Sequence, residues 1–351
     1  MKTNHLRRIL HSALLLAFFM LVSMPPALAC TRAVYYGKEG QTVTGRTMDW
    51  VEDMQSNIWI FPRGMARGGD MGEKALKWTS KFGSVIVSGY ESGTTDGMNE
   101  KGLAANMLYL AESEYPPDDD RPTLVTGAVA QYLLDNFATV GEAVAAMRQE
   151  RFRVISVPAP NGSKGTVHFS ISDASGDSAI FEYVKGELVI HHGRQYQVMT
   201  NSPIYSEQLA LNEYWRQIGG TVMLPGTNRA ADRFVRASFY INATVQSANP
   251  REAAAAVFSV MRNASVPRGI STPTQPNISS TIWRTVADQK NKVYYFEDTA
   301  SPSLLWVKLN QIDFKRDSGV RKLAIHGDPD LGGDQTGNFK EAEAFKFLTP
   351  K

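Results

Sequence analysis

Ala27-Leu28-Ala29-Cys30-Thr31-Arg32-Ala33-Val34-Tyr35-Tyr36 is the stretch on which the reading of this chain turns. To its left, Lys2, Arg7 and Arg8 precede the unbroken apolar run of residues 13–22, ALLLAFFMLV, and Ala27 and Ala29 put small side chains where a signal peptidase reads them. A basic start, a short apolar segment and an Ala-x-Ala end make residues 1–29 a secretory signal, too short in its apolar part for a comfortable membrane span. Cleavage is predicted between Ala29 and Cys30, which sends the remainder to the periplasm or the medium. To the right, Thr31 to Tyr36 reads as a strand. The residue between the two is the single cysteine of a 351-residue chain.

Removing the leader reverses the charge balance. The whole chain holds 37 Lys/Arg against 35 Asp/Glu, formally +2. The leader contributes three of the basic residues and no acidic one, so residues 30–351 carry 34 against 35. No basic stripe or domain is left, which speaks against a nucleic-acid partner. No second apolar run is long enough to cross a bilayer, so no stable membrane association is expected after cleavage. At 43% hydrophobic and 21% charged the composition is that of an ordinary globular chain, and no shift within it marks a boundary. Residues 30–351 therefore read as one domain.

A secreted chain with one cysteine forms no internal disulfide, so its thiol is free or modified. Three readings of Cys30 are open. In the first, it is acylated and anchors a lipoprotein. Ala27-Leu28 reverses the branched-then-small order that such a signal prefers, and a strand follows where a flexible tether would be usual. In the second, it is a chance terminal thiol, an oxidisable liability that accounts for nothing downstream. In the third, it is an N-terminal nucleophile whose own α-amino group is the base. An α-amino group titrates near ~7.7–8.0, against ~8.5 for a cysteine thiol and ~10.4 for lysine, so it can accept the thiol proton near neutral pH. No histidine is needed. The four that follow Cys30 (His168, His191, His192 and His326) lie in no recognisable nucleophile or metal motif.

Beyond Tyr36 the pattern is strand-rich. Thr42 to Trp50, Asn57 to Pro62, Ala75 to Thr79 and Ser84 to Tyr90 are short runs broken by Gly, Asp or Pro. Thr123 to Glu150 has helical period, and Thr139-Val140-Gly141-Glu142 is a capping box that can start a second helix within it. Val167 to Ile171 and Ala179 to Val184 flank the turn Asp173–Asp177, and Glu187 to His191 extends the meander. Helical patterns return at Ile204 to Ile218, Ala230 to Val245 and Arg251 to Asn263. Ser279 to Asp313 reads as three strands. Hairpins rather than βαβ alternation predict an α+β fold of antiparallel sheets covered by helices.

Arg46 and Asp49, in Gly45-Arg46-Thr47-Met48-Asp49-Trp50, reach Cys30 if this run pairs beside the N-terminal strand. Arg46 then favours the thiolate, and Asp49 holds the α-amino group. On residue type alone the pair also fits an ion pair on a strand surface. The mature start Cys-Thr-Arg followed by G-R-T-M-D-W resembles the choloylglycine hydrolase family, the linear amide hydrolases that include bile salt hydrolases and penicillin V acylases. The resemblance continues in order through Asp96-Gly97-Met98-Asn99-Glu100-Lys101-Gly102-Leu103, Thr200-Asn201-Ser202-Pro203 and Asp232-Arg233-Phe234-Val235-Arg236, across most of the chain after the leader.

The resemblance implies the αββα four-layer sandwich of N-terminal-nucleophile hydrolases, two antiparallel sheets between helical layers. It implies Cys30 as nucleophile and base, with Arg46, Asp49 and Arg233 around it. Asn201 is expected to bind the tetrahedral oxyanion through its side chain, and Tyr109 through its backbone N–H. Trp50 and Tyr109 are expected to touch substrate. Taken singly, Asn201 also suits a turn before Pro203, Arg233 a helix surface, Tyr109 a half-buried strand and Trp50 the core. The implied reaction is amide hydrolysis through a cysteine thioester, with a small-molecule amide as partner and no metal or cofactor. The implied assembly is a homo-oligomer, a tetramer by resemblance. Penicillin V-type amides, conjugated bile salts and N-acyl homoserine lactones all join an apolar acyl group to a small polar amine. Tyr109 favours the first, because bile salt hydrolases tend to carry asparagine there. Specificity is expected in the loops Trp50 to Asn57, Phe82 to Ser92 and Val157 to Gly165. The alternative of another class is a lipid-anchored or secreted binding protein that kept the fold without catalysis.

Overall fold

The computed structural model describes residues 30–68, 72–219, 222–272, 279–326, 328 and 331–350; the segment read as a secretory signal lies outside them. β1 (Cys30–Tyr36) turns through residues 37–41 into β2 (Thr42–Trp50), and the two pair antiparallel with Cys30 opposite Met48 and Arg32 opposite Arg46. β3 (Ile58–Phe61), β4 (Ser84–Gly89), β5 (Gly93–Asn99) and β6 (Ala104–Tyr109) follow, and then helices α1 (Thr126–Asn136) and α2 (Val140–Met147). A meander of β7 (Val167–Ser172), β8 (Ser178–Val184) and β9 (Glu187–His192) leads to the short β10 (Val198–Met199). Three helices come next, α3 (Tyr205–Ile218), α4 (Ala230–Ala243) and α5 (Pro250–Ala264). The chain returns as β11 (Ser280–Asp288), β12 (Val293–Asp298) and β13 (Leu304–Lys308).

Among the described residues, one sheet has seven strands in the order β10-β1-β2-β11-β12-β13 followed by Gly333–Asp334. A second has nine, β9-β8-β7-β6-β5-β4-β3 followed by Arg321–Leu323 and Lys340–Glu341. α4 and α5 cover the first: Phe234, Ala237, Ile241, Val257, Phe258 and Met261 join Ala33, Tyr35, Val43 and Val286 in one apolar cluster. α1 and α2 cover the second: Val129, Leu133, Leu134, Val140 and Val144 cluster with Ile86, Ala105, Phe169 and Phe181. The two sheets face each other across a layer that is partly polar. In it Arg32 donates to Ile171 O and Ser178 Oγ, and Thr44 Oγ1 lies 2.7 Å from Ser172 Oγ. These layers are the αββα sandwich that the resemblance implies.

The helical periods and the four hairpins of the two meanders stand where the sequence puts them, and the Thr139 capping box forms with both of its bonds. Two readings need correction. Of Ala75 to Thr79 only Trp78–Thr79 is strand, paired with Ala66–Arg67; Ala75 makes a single parallel bridge to Thr123, and its own N–H turns back onto Gly72 O. Thr123–Val125 is not helix but a short strand parallel to Arg153–Ile155, and the helix starts after it. No described helix is long and apolar enough to cross a membrane.

Candidate active site

Cys30 lies at the open end of the β1–β2 pair and is 2% exposed. Its Sγ is 3.8 Å from Met48 Sδ and from Asp49 O. Its N–H donates to Asn201 Oδ1 at 2.5 Å. Burial pushes the thiol above its usual value, while the charge of Arg46 pulls it down and that of Asp49 pushes it further up.

Asp49 and Arg233 flank this atom pair, and both are wholly buried. Arg233 reaches in from α4 and donates to Cys30 O at 2.6 Å, Thr31 Oγ1 at 2.5 Å and Asn201 Oδ1 at 2.9 Å. Thr281 Oγ donates to Asp49 Oδ1 at 2.5 Å. The second carboxylate oxygen, Oδ2, is buried without a hydrogen-bond partner and lies 3.9 Å from Arg233 Nη1. Burial raises this carboxyl to about 6, against the pull of Arg233 and the bond from Thr281.

Arg46 comes into the same pocket from the other face of β2. It donates to Thr95 O at 3.0 Å and Met107 O at 2.7 Å, stacks 4.7 Å from the ring of Trp283 and pairs with buried Asp96 at 3.7 Å. Asp96 in turn accepts from Asn106, Thr285 and Tyr294. A cation buried this way is paired and bonded in place, so it acts on Cys30 through its field.

Tyr109 faces Val167 across β6 and β7. Leu110 N–H donates to Thr166 O and Val167 N–H to Tyr115 Oη, so Tyr109 occupies a non-hydrogen-bonded position of the ladder. Its N–H and C=O therefore turn away from β7, toward the side where Asn201 Nδ2 donates to Tyr109 O at 2.7 Å. Met107, two residues earlier, turns its carbonyl the same way to Arg46. The Asn201 amide thus has one N–H on Tyr109 and a second to give.

Cys30, Arg46, Met48, Trp50, Met54, Tyr90, Tyr109, Lys164 and Leu348 line one pocket. Trp50 packs edge-to-face on Tyr109 with ring centroids 6.4 Å apart, and its Nε1–H donates to Tyr90 Oη at 2.7 Å. All seven residues singled out in the sequence are brought together here. Thr281 and Leu348 were missed, since their relevance depends on what the fold brings together rather than on any local pattern; Asp96 stood in a motif of the resemblance and Tyr90 in a loop expected to hold specificity, neither with a role of its own. Among the described residues no group of three or more His, Cys, Asp or Glu is placed to hold a metal ion.

Residues 30–322 match the family of linear amide C–N hydrolases known as the choloylglycine hydrolase family. The chain is 49% identical to a penicillin V acylase of Pectobacterium atrosepticum, with 92% of each covered. It is 24% identical to a bile salt hydrolase/transferase of Clostridium perfringens, over 80% of this chain and 93% of that one. The solved structure of a penicillin V acylase from Agrobacterium tumefaciens superposes with a TM-score of 0.84 at 56% identity, covering 92% of this chain and all of that one.

Proposed function

The chain belongs to the choloylglycine hydrolase family of linear amide C–N hydrolases, and we propose that its nucleophile is Cys30, made N-terminal by removal of residues 1–29. The observation that carries this reading is the buried Oδ2 of Asp49, which accepts no hydrogen bond and has only the Arg233 charge 3.9 Å away, beside a cysteine whose nitrogen already bonds Asn201. A peptide nitrogen has one hydrogen to give, whereas a free α-ammonium has three. The added donors match the acceptor that Asp49 holds ready.

In the proposed reaction the α-amino group takes the Cys30 proton and Sγ adds to the substrate carbonyl carbon. The oxyanion is held by the second N–H of Asn201 Nδ2 and the N–H of Tyr109; one such donor is typically worth roughly 10²–10³ in rate. The amine leaves with the proton from the α-ammonium, and a thioester remains. Water, deprotonated by the same amino group, adds to the thioester, and collapse returns the thiolate and releases the acid. Arg46 lowers the cost of the thiolate, and Arg233 fixes Cys30 O and Asn201.

The preferred substrate is an aryl-acetyl amide of the penicillin V type. The supports are the aromatic wall of Trp50, Tyr90 and Tyr109 and the likeness to two penicillin V acylases. Secretion, a single domain over 30–351 and a homo-oligomer complete the proposal. Leu209, Leu211, Tyr214 and Ile218, exposed along α3, are apolar surface that a second copy would cover. Side-by-side kcat/KM values on penicillin V and a glycine-conjugated bile salt test the substrate, and a preference for the bile salt overturns it. An intact mass beginning at unmodified Cys30 is expected; a diacylglyceryl mass would make the protein a lipoprotein.

A further inference from the structure

His168 has no part in the reaction just described, yet it is 1% exposed and tied to the segment that carries Asn201. Its Nε2 lies 2.7 Å from the carbonyl of Thr200, and its Nδ1 lies 3.0 Å from Glu182 Oε1. Glu182, on β8, is as deeply buried and also accepts from the N–H of Tyr205 at the start of α3. Both carboxyl oxygens share the Tyr205 N–H, as a carboxylate's do, and His191 on β9 stands 3.7 Å from Oε2; burial alone would raise the group, and these neighbours together with His168 pull it down. Carboxylate and peptide carbonyl are both pure acceptors. The two bonds coexist only if both ring nitrogens carry protons.

The residues around Asn201 are held from several directions. His168 takes the carbonyl before it, Gln208 Nε2 takes its own carbonyl at 3.0 Å, and Thr200 Oγ1 donates to Ala230 O at the head of α4. We propose that His168 is a positioning residue of the amide hydrolysis: a buried imidazolium bridging Glu182 and the Thr200 carbonyl, it fixes the backbone from which Asn201 reaches Cys30, Arg233 and Tyr109. Charge-assisted bonds are roughly twice as strong as neutral ones, which suits a clamp on one peptide carbonyl. Glu182 balances the imidazolium charge, so the action on the reaction centre is through geometry. The inference rests on the assignment of Asn201 to the oxyanion.

The test uses the mature enzyme with penicillin V, comparing wild type, His168→Leu, Glu182→Gln and Asn201→Ala. His168→Leu is expected to lower kcat roughly 10- to 100-fold, as a small misplacement does, with KM little changed. Alkylation of Cys30 by iodoacetamide, which needs no oxyanion site, should keep its wild-type rate. Glu182→Gln should cost clearly less, because the new amide can donate to Nδ1 while Nε2–H stays on Thr200. The ¹⁵N spectrum of the wild type at pH 7 should show both His168 ring nitrogens protonated, and that of Glu182→Gln only one. A singly protonated His168 in the wild type overturns the proposal. So does an unchanged kcat in His168→Leu, or alkylation that falls in step with kcat, which would mark general damage to the fold. If Asn201→Ala keeps the wild-type kcat, the underlying assignment is wrong. If Asn201→Ala loses it and His168→Leu does not, this inference alone fails.

Discussion

At Cys30 the proposed nucleophile and base are two atoms of one residue, so whatever is joined to the nitrogen removes the base. A chain that retains Ala29, verified by mass, is therefore expected to be inactive while remaining folded; turnover by that form at the wild-type rate would exclude the mechanism. Asp49→Asn keeps the shape and removes the charge that favours the α-ammonium. The α-amino group should then lose its proton at lower pH, so the rising limb of the kcat/KM profile should move down in pH, with part of the activity retained. An unshifted limb at an unchanged rate would show that Asp49 does not touch the amine. At this scale the sequence was most legible where chemistry demands one residue type in one place: a single cysteine at a predicted cleavage site, then Arg46, Asp49, Asn201 and Arg233 in recognisable motifs. His168 was not legible, because its role depends on Glu182 and Thr200 arriving from β8 and from the segment after β10.

Among the elements, β2 shows why a motif can be a packing statement as well as a catalytic one. A Cβ at Gly45 would lie 2.4 Å from Val257 Cγ1 and 2.7 Å from Met261 Cγ, so this glycine is the gap through which α5 approaches the sheet. Gly45→Val is expected to cost about 1–3 kcal/mol by overpacking. It should also lower kcat, because β2 carries both Arg46 and Asp49. Gly141 in α2 is the control: a Cβ there meets nothing within 4 Å, so Gly141→Ala should stabilise by up to about 1 kcal/mol. Denaturant midpoints of the two variants check both signs. Periodicity located the helices and hairpins well, since each follows from side chains near in sequence. It passed over β5 and β6 as strands, because Gly97 and the turn at Gly102 interrupt the alternation there. Gly102 holds φ at +89, and Asn99 caps that turn by accepting from Lys101 N and Leu103 N.

For the molecule as a whole, the pairing of β2 with β11 and the facing of two sheets join residues far apart in the chain, and no local pattern announces them. Only the ordered motifs suggested the sandwich, and its partly polar middle layer was not foreseen at all. That layer makes stability depend on pH in a way one carboxylate can report. Glu182 falls from its ordinary 4.5 to about 2 in the folded chain. A carboxyl depressed on folding contributes stability that is present above its unfolded value and is lost as pH falls through the folded one. The contribution of Glu182 should therefore be complete above about pH 5, fade below it and be gone near pH 2. A shift of that size corresponds to roughly 3 kcal/mol. Asp96 and Asp135, raised by burial, act in the opposite sense, so the acid limb of the wild type alone mixes both signs. Subtracting Glu182→Gln cancels the other carboxyls and leaves Glu182 with its partner His168. The wild type should exceed this variant in denaturant midpoint at pH 7, and the gap should close as pH is lowered from 5 toward 2. A gap constant over that range would mean that Glu182 is not held ionised by its buried partners, and the ion pair with His168 would fall with it.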